Sequence, residues 1–169
     1  LFRSHWMLNY HEIINDQINQ TPFTLSYCPL TGTSKAWRRD FNDDVHEFGV
    51  SGLLYNSNLI LYDRTTESNW SQILNRAVNG ALYDQKAEQL HLLEINYAEV
   101  QKLEGQILFL STNTGFNFNY QSDLYRNYKN SDQVSFPLMN SSNIISAKER
   151  VLGIIFGDKA WVFRFEDFE

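Results

Sequence analysis

Leu53-Leu54-Tyr55-Asn56-Ser57-Asn58-Leu59-Ile60-Leu61-Tyr62 sets two short apolar runs around a polar break. Each run is too short for a helix, and Ile and Tyr suit a pleated, half-buried surface. Asn and Ser are residues of tight turns, so the stretch predicts a β-hairpin. The same pattern recurs outward along the chain. Residues 34–41 and 45–50 read as strands joined by Asn42-Asp43-Asp44. Phe23-Thr24-Leu25-Ser26-Tyr27 alternates apolar and small polar residues, as a strand does. Residues 151–156 and 159–165 flank Gly157-Asp158, a two-residue hairpin signal. Residues 89–94 and 106–111 read as further strands, the latter with a buried look.

Helical signals are fewer. Leu8, Ile13, Ile14 and Ile18 fall near helical spacing with Asn9 as a cap, predicting a short helix over 9–17. Asn19-Gln20-Thr21 is turn chemistry, and Pro22 stops a helix from continuing. Residues 70–78 suggest one or two helical turns ending at Gly80. Residues 97–103 suggest another helix, capped by Asn96 and stopped by Gly105. Residues 112–143 are polar and weakly periodic, yet too aromatic for a flexible linker, and predict an ordered irregular segment. The expectation is a single domain over 1–169, mainly β with short helices (α+β), forming an antiparallel barrel-like or bent-sandwich architecture. Leu1-Phe2-Arg3 echoes Val162-Phe163-Arg164, too briefly to make a repeat.

Composition narrows the function classes. At 169 residues the chain can bury roughly two-thirds of its unfolded surface and needs no disulfide or metal to fold. Aromatic residues make up 15% of the chain, which favours a sheet core over a helix bundle. The net charge of -6 comes with no basic stripe, so nucleic acid is an unexpected partner. No apolar run approaches the ~20 residues of a membrane-spanning helix. Three Asn-x-Ser/Thr matches, at Asn19, Asn69 and Asn140, carry little weight in an Asn-rich chain.

One cysteine, in Tyr27-Cys28-Pro29-Leu30-Thr31-Gly32-Thr33, excludes an intrachain disulfide. Pro29 lacks a donor and places Cys28 at a strand end. There the thiol could serve as a nucleophile, a redox group or a ligand for copper or another soft metal. A free cysteine buried as a small hydrophobe is the plain alternative. His11 is the candidate base or second metal ligand beside Cys28, oriented by Asp16 or Asp63. Two ligands fall short of a zinc site; His46 or His5 would supply a third for copper. Asp63, Arg64, Ser68, Trp70 and Gln72 form the densest polar-aromatic patch. Arg64 could hold an anionic ligand with Trp70 stacked over it and Gln72 orienting it. A structural Arg–Asp pair at a turn is the alternative. Ser51, in Gly49-Val50-Ser51-Gly52, resembles a nucleophile elbow only superficially. Phe116, Phe118, Tyr120, Tyr125 and Tyr128 could wall a groove or form a packed cluster.

Several runs in order carry a resemblance: Asn9-Tyr10-His11-Glu12-Ile13-Ile14-Asn15-Asp16, Tyr27-Cys28-Pro29-Leu30-Thr31-Gly32-Thr33, Phe48-Gly49-Val50-Ser51-Gly52-Leu53-Leu54-Tyr55-Asn56-Ser57 and Tyr62-Asp63-Arg64-Thr65-Thr66-Glu67-Ser68-Asn69-Trp70-Ser71-Gln72. Thr114-Gly115-Phe116 with Tyr120, and Lys148-Glu149-Arg150-Val151-Leu152-Gly153, complete the set. Together they resemble the bacterial family DUF3179, a domain of unknown function. The resemblance implies an extracytoplasmic location in many members and no activity to carry over. Some relatives have a second cysteine where this chain has Thr31, so a dithiol mechanism is excluded here. Relatives also have a Gly-containing strand upstream, which implies that a native N-terminal strand is lacking. Two functions follow as expectations. One is a thiol-dependent enzyme or redox protein acting through Cys28 on a small, anionic substrate. The other is a non-catalytic module that binds a small molecule or metal through Cys28 and His11. The sequence leaves the oligomeric state open.

Overall fold

The structure is a computed structural model and describes residues 4–105 and 107–168. It is mainly β with short helices, as expected, and among the described residues none of the antiparallel sheets closes into a barrel. Helix α1 (His5–His11) leads into β1 (Ile13–Ile18), β2 (Thr21–Cys28) and β3 (Thr33–Arg38), a meander with β2 in the centre. The short strands β4 (Asp40–Phe41) and β5 (Asp44–Val45) pair with each other. A second sheet follows in the order β6 (Phe48–Tyr55), β7 (Asn58–Asp63), β8 (Asn69–Ser71) and β9 (Arg76–Asn79). Helices α2 (Tyr97–Val100) and α3 (Arg126–Lys129) interrupt an otherwise irregular region. Strands β10 (Val151–Phe156) and β11 (Lys159–Arg164) close the chain, followed by a 3-10 turn, Phe165–Phe168.

β2 explains the layering. Successive side chains of a strand point to opposite faces. Phe23, Leu25 and Tyr27 pack with Leu8 of α1, Ala36, Ile14 and Leu90. Cys28 joins Trp37, Phe48, Leu59, Leu61, Trp70 and Ala77, which come mostly from the second sheet. The first sheet therefore lies between α1 and the second sheet. Thr24 and Ser26 face the second sheet and are buried, which requires satisfied hydroxyls. Thr24 Oγ1 donates to Ile14 O, and Ser26 Oγ accepts from Gln72 Nε2 at 3.0 Å.

Local chemistry sets the hairpins. Asn56 and Ser57, with φ of 48° and 62°, make the two-residue turn between β6 and β7. Asn42 and Asp43 (52° and 64°) and Asn19 and Gln20 (46° and 71°) turn in the same left-handed region. Four expectations are corrected. The helix expected over 9–17 is instead the end of α1 and most of β1, because Ile14, Asp16 and Ile18 also share one face of a strand. A spacing of four fits both periods. The helical turns expected over 70–78 are β8 and β9, paired in register Trp70↔Ala77 and Ser71↔Arg76. Residues 89–94 form no strand, although Leu90 N donates to Ala36 O beside β3. Residues 107–111 form no strand either, and Leu108 and Phe109 are half exposed. Gln106 and the Leu1-Phe2-Arg3 echo lie outside the described residues.

Candidate functional site

α1 positions the first candidate residue. Ser4 caps it, its Oγ accepting from Trp6 N at 3.2 Å. The helix ends at His11 because Glu12 turns to φ 55°, ψ -38°, a region costly for any residue with a side chain. Glu12 N still donates to Leu8 O, and Glu12 O accepts from Tyr27 N at 2.7 Å. The end of α1 is thereby tied to the end of β2. Burial raises the Glu12 carboxyl above its ordinary range.

His11 points into the aromatic segment that follows α2. Its Nε2 makes a short hydrogen bond with the Tyr120 phenol, which is 2.6 Å from Thr114 Oγ1. The phenol donates to one of these partners and accepts from the other, so the chain can run in either direction. Phe116 and Phe118 stack on each other and flank the imidazole at 5.4 and 5.6 Å between ring centres. This half-buried setting lowers the His11 pKa, because burial disfavours the charged ring. Tyr10 fixes the same segment, donating to Asn119 O at 2.7 Å.

Tyr120 also faces a cavity of about 520 Å³ lined by Ser4, Trp6, Met7, Phe109, Leu110, Thr112, Tyr120 and Gln121. A second cavity of about 330 Å³ adjoins the other side of α1. It shares Ser4 and Trp6 with the first, and His5, Leu92, Glu94 and Tyr97 contribute to its walls. His5 stacks on Tyr27 at 4.6 Å, and its Nε2 lies 3.8 Å from the Glu94 carboxylate.

Cys28 ends β2 as expected, but it faces the second sheet while α1 packs on the opposite face. It is 2% exposed, and its Sγ donates to Ser57 O at 3.6 Å. An electrophile or metal would reach it only after part of the core opened. Tyr128 donates to Leu30 O beside it. Burial raises the Tyr125 and Tyr128 phenols, with a smaller effect from Cys28 nearby. His11 and Cys28 thus have separate partners, Tyr120 and Ser57. Asp16 lies on β1, where its carboxylate accepts from Gln17 N. No group of three or more His, Cys, Asp or Glu side chains able to hold a metal occurs among the described residues.

The second patch is also taken apart by the fold. Asp63 is fully buried, but the imidazole it holds is His46, with Nδ1 2.9 Å from Asp63 Oδ2. Thr66 Oγ1 and Thr65 N donate to the same carboxylate, and Phe41 stacks on the His46 ring at 3.8 Å. Both His46 ring nitrogens face acceptors, since Nε2 lies 3.2 Å from Phe41 O. Arg64 is exposed, lies 3.5 Å from the Glu47 carboxylate and covers Gly49, where an added Cβ would fall 2.9 Å from the guanidinium. Trp70 is 1% exposed in the core, between Phe41 and Phe48, and so is not stacked on Arg64. Its Nε1 is buried without a partner among the described residues. Gln72 bridges the sheets, accepting from Asn58 Nδ2 at 2.8 Å and donating to Ser26 Oγ and Thr33 O. Ser51 donates to Ile60 O at 2.6 Å and accepts from Leu53 N where the β6–β7 register shifts.

The sequence reading missed the cavity and its walls at Trp6, Met7, Leu110 and Gln121. It also missed the contact of His11 with Tyr120, a pair 109 positions apart with no local signal. The His46–Asp63 pair had a faint signal, two polar side chains that need hydrogen-bond partners wherever a β-rich core forms around them.

By fold, this is a layered antiparallel β domain with its cavities on the helix side of the first sheet. The family model of DUF3179, described as a protein of unknown function, matches residues 4–169, and the chain belongs to that family. Nothing matches among curated proteins or among solved structures.

Proposed function

We propose that the protein is a small-ligand-binding module that takes a compact, largely apolar molecule with one hydrogen-bonding group into the cavity beside α1. One observation carries this reading. The phenol of Tyr120, on the wall of an otherwise mainly apolar cavity, is bonded to a histidine that burial holds neutral near pH 7. Apolar walls give affinity, and a few placed polar groups fix orientation. A ligand hydroxyl or carbonyl that takes the place of Thr114 meets a phenol whose proton position is set by His11. Trp6 forms part of the rim and is about half exposed. Cys28 enters this reading as core packing behind the joint between Glu12 and Tyr27.

The test uses 1-naphthol and related aromatic alcohols, followed by calorimetry or ligand fluorescence. Saturable one-to-one binding is expected. Leu110→Trp, which fills the cavity, should abolish it, and Tyr120→Phe should weaken it roughly fivefold through loss of one hydrogen bond. Absence of saturable binding across the set, or binding indifferent to Leu110→Trp, overturns the reading.

Binding also has a pH signature. The His11 pKa is lowered from an ordinary value of about 6.5. Affinity that needs the neutral ring should therefore be flat above pH 6.5 and fall only below it. In His11→Gln that acid limb should vanish.

A further inference from the structure

The two cavities flank the first turn of α1, and their walls meet in two places. Ser4 and Trp6 line both of them. Phe109 of the first and Tyr97 of the second pack against each other, with ring centres 6.1 Å apart. The two spaces, about 520 and 330 Å³, are therefore neighbouring lobes around Trp6. Each is of a size that holds part or all of a small ligand. Trp6 is about half exposed, so its indole offers a flat apolar face between the lobes.

The lobes differ in chemistry. The second is lined by His5 and Glu94. His5 Nε2 lies 3.8 Å from Glu94 Oε1, too far for a hydrogen bond and a suitable gap for one bridging group. Both sides of the gap are held in place. The His5 ring stacks on Tyr27 at 4.6 Å, and Arg150 donates to the same carboxylate oxygen at 2.6 Å. Burial lowers the His5 pKa, with Glu94 acting against it and Arg150 and Lys129 with it, so the ring is neutral near pH 7. The nearby carboxylate favours the tautomer that carries its proton on Nε2. A bridging group must then accept from His5 and donate to Glu94. A hydroxyl does both, whereas an ammonium only donates and a carboxylate only accepts.

We infer that the ligand of the first lobe extends past Trp6 and places a second hydroxyl between His5 and Glu94. On the ligand-binding reading, which this rests on, the ligand class narrows to elongated apolar molecules with a hydroxyl at each end. The helix sets the spacing. His5 and His11 stand at the two ends of α1, six residues or ~9 Å apart at ~1.5 Å per residue. Each serves one end of the ligand, His11 through Tyr120. Two hydroxyls about that far apart on a bent apolar body match both lobes. An apolar end in the second lobe would strip water from His5 and Glu94 without replacing it, so the lobe selects against such a molecule.

Bisphenol A and 4-cumylphenol make the test, because they share one bent two-ring skeleton and differ by a single hydroxyl. Calorimetry on the purified chain should find the bisphenol bound roughly tenfold more tightly, the scale of one hydrogen bond to a charged group. In His5→Phe, which keeps a ring on Tyr27, and in Glu94→Ala, that ratio should fall to within about twofold. Ser34→Phe, which fills the second lobe from β3, should remove the advantage while leaving both polar groups in place. Each ratio compares two ligands on one preparation, and circular dichroism checks that every variant keeps its fold. Equal affinities in the wild-type chain, meaning that water bridges the pair, overturn the inference. So does a tenfold ratio that survives in both His5→Phe and Glu94→Ala. If 1-naphthol binds and neither two-ring phenol does, the lobes are not joined and the inference alone fails. If none of the three binds, the ligand-binding reading fails with it.

Discussion

At the scale of single residues, three side chains show how burial decides chemistry. Cys28 has the reactive group, but its sulfur lies within the core and is bonded to Ser57 O. Thiol labelling of the native protein should therefore be slow and should accelerate with urea in step with unfolding. Cys28→Ala should cost about 1–2 kcal/mol as a small core truncation. Rapid labelling without denaturant would show that the sulfur is reached from solvent. The His46–Asp63 pair is closed off completely, and removing one partner leaves a buried charge. His46→Phe should lower stability by about 3–5 kcal/mol in urea titrations. Glu12 combines a strained backbone with a carboxyl that burial disfavours in its charged form. Glu12→Gly should raise stability by about 1 kcal/mol. A loss on that substitution would mean that the side chain has a stabilising partner after all.

At the scale of elements, turn chemistry was legible and segment type was less so. Asn56-Ser57, Asn42-Asp43 and Gly157-Asp158 marked hairpins that form, because left-handed turns demand particular residues wherever they occur. Trp70 and its neighbours misled because β8 is only three residues long and too short to show a period. Residues 107–111 looked buried because they are apolar, but apolar residues also line cavities and exposed surface. The same turn logic gives a prediction. Gln20 sits at φ 71° in the exposed turn of the β1–β2 hairpin. Gln20→Gly creates an Asn-Gly turn and should stabilise by about 0.5–1 kcal/mol, read as a higher urea midpoint at unchanged slope.

At the scale of the whole molecule, pH reports on burial at the joint between α1 and the first sheet. Burial lowers the pKa of both His5 and His11, so the unfolded chain binds more protons just below pH 6.5. Stability is then complete above about 6.5 and falls as the solution is acidified. Burial raises Tyr27 to about 12 and moves Tyr125 and Tyr128 in the same direction. Their share of stability is complete below pH 10 and is lost as pH rises towards the folded value. Melting temperature should therefore form a plateau between roughly pH 6.5 and 10. His5→Gln with His11→Gln should flatten the acid shoulder alone.

The sequence by itself determined the β-rich class, the hairpin turns, the strand end at Cys28 and the candidacy of His11. Each of these depends on neighbours in the chain, through backbone preference or alternating side chains. Only the tertiary structure decided what those residues meet. It set Cys28 and α1 on opposite faces of one sheet, gave Asp63 to His46 and brought Tyr120 to His11. Contacts of that kind join positions far apart in the chain, and they follow from how layers stack rather than from any local propensity.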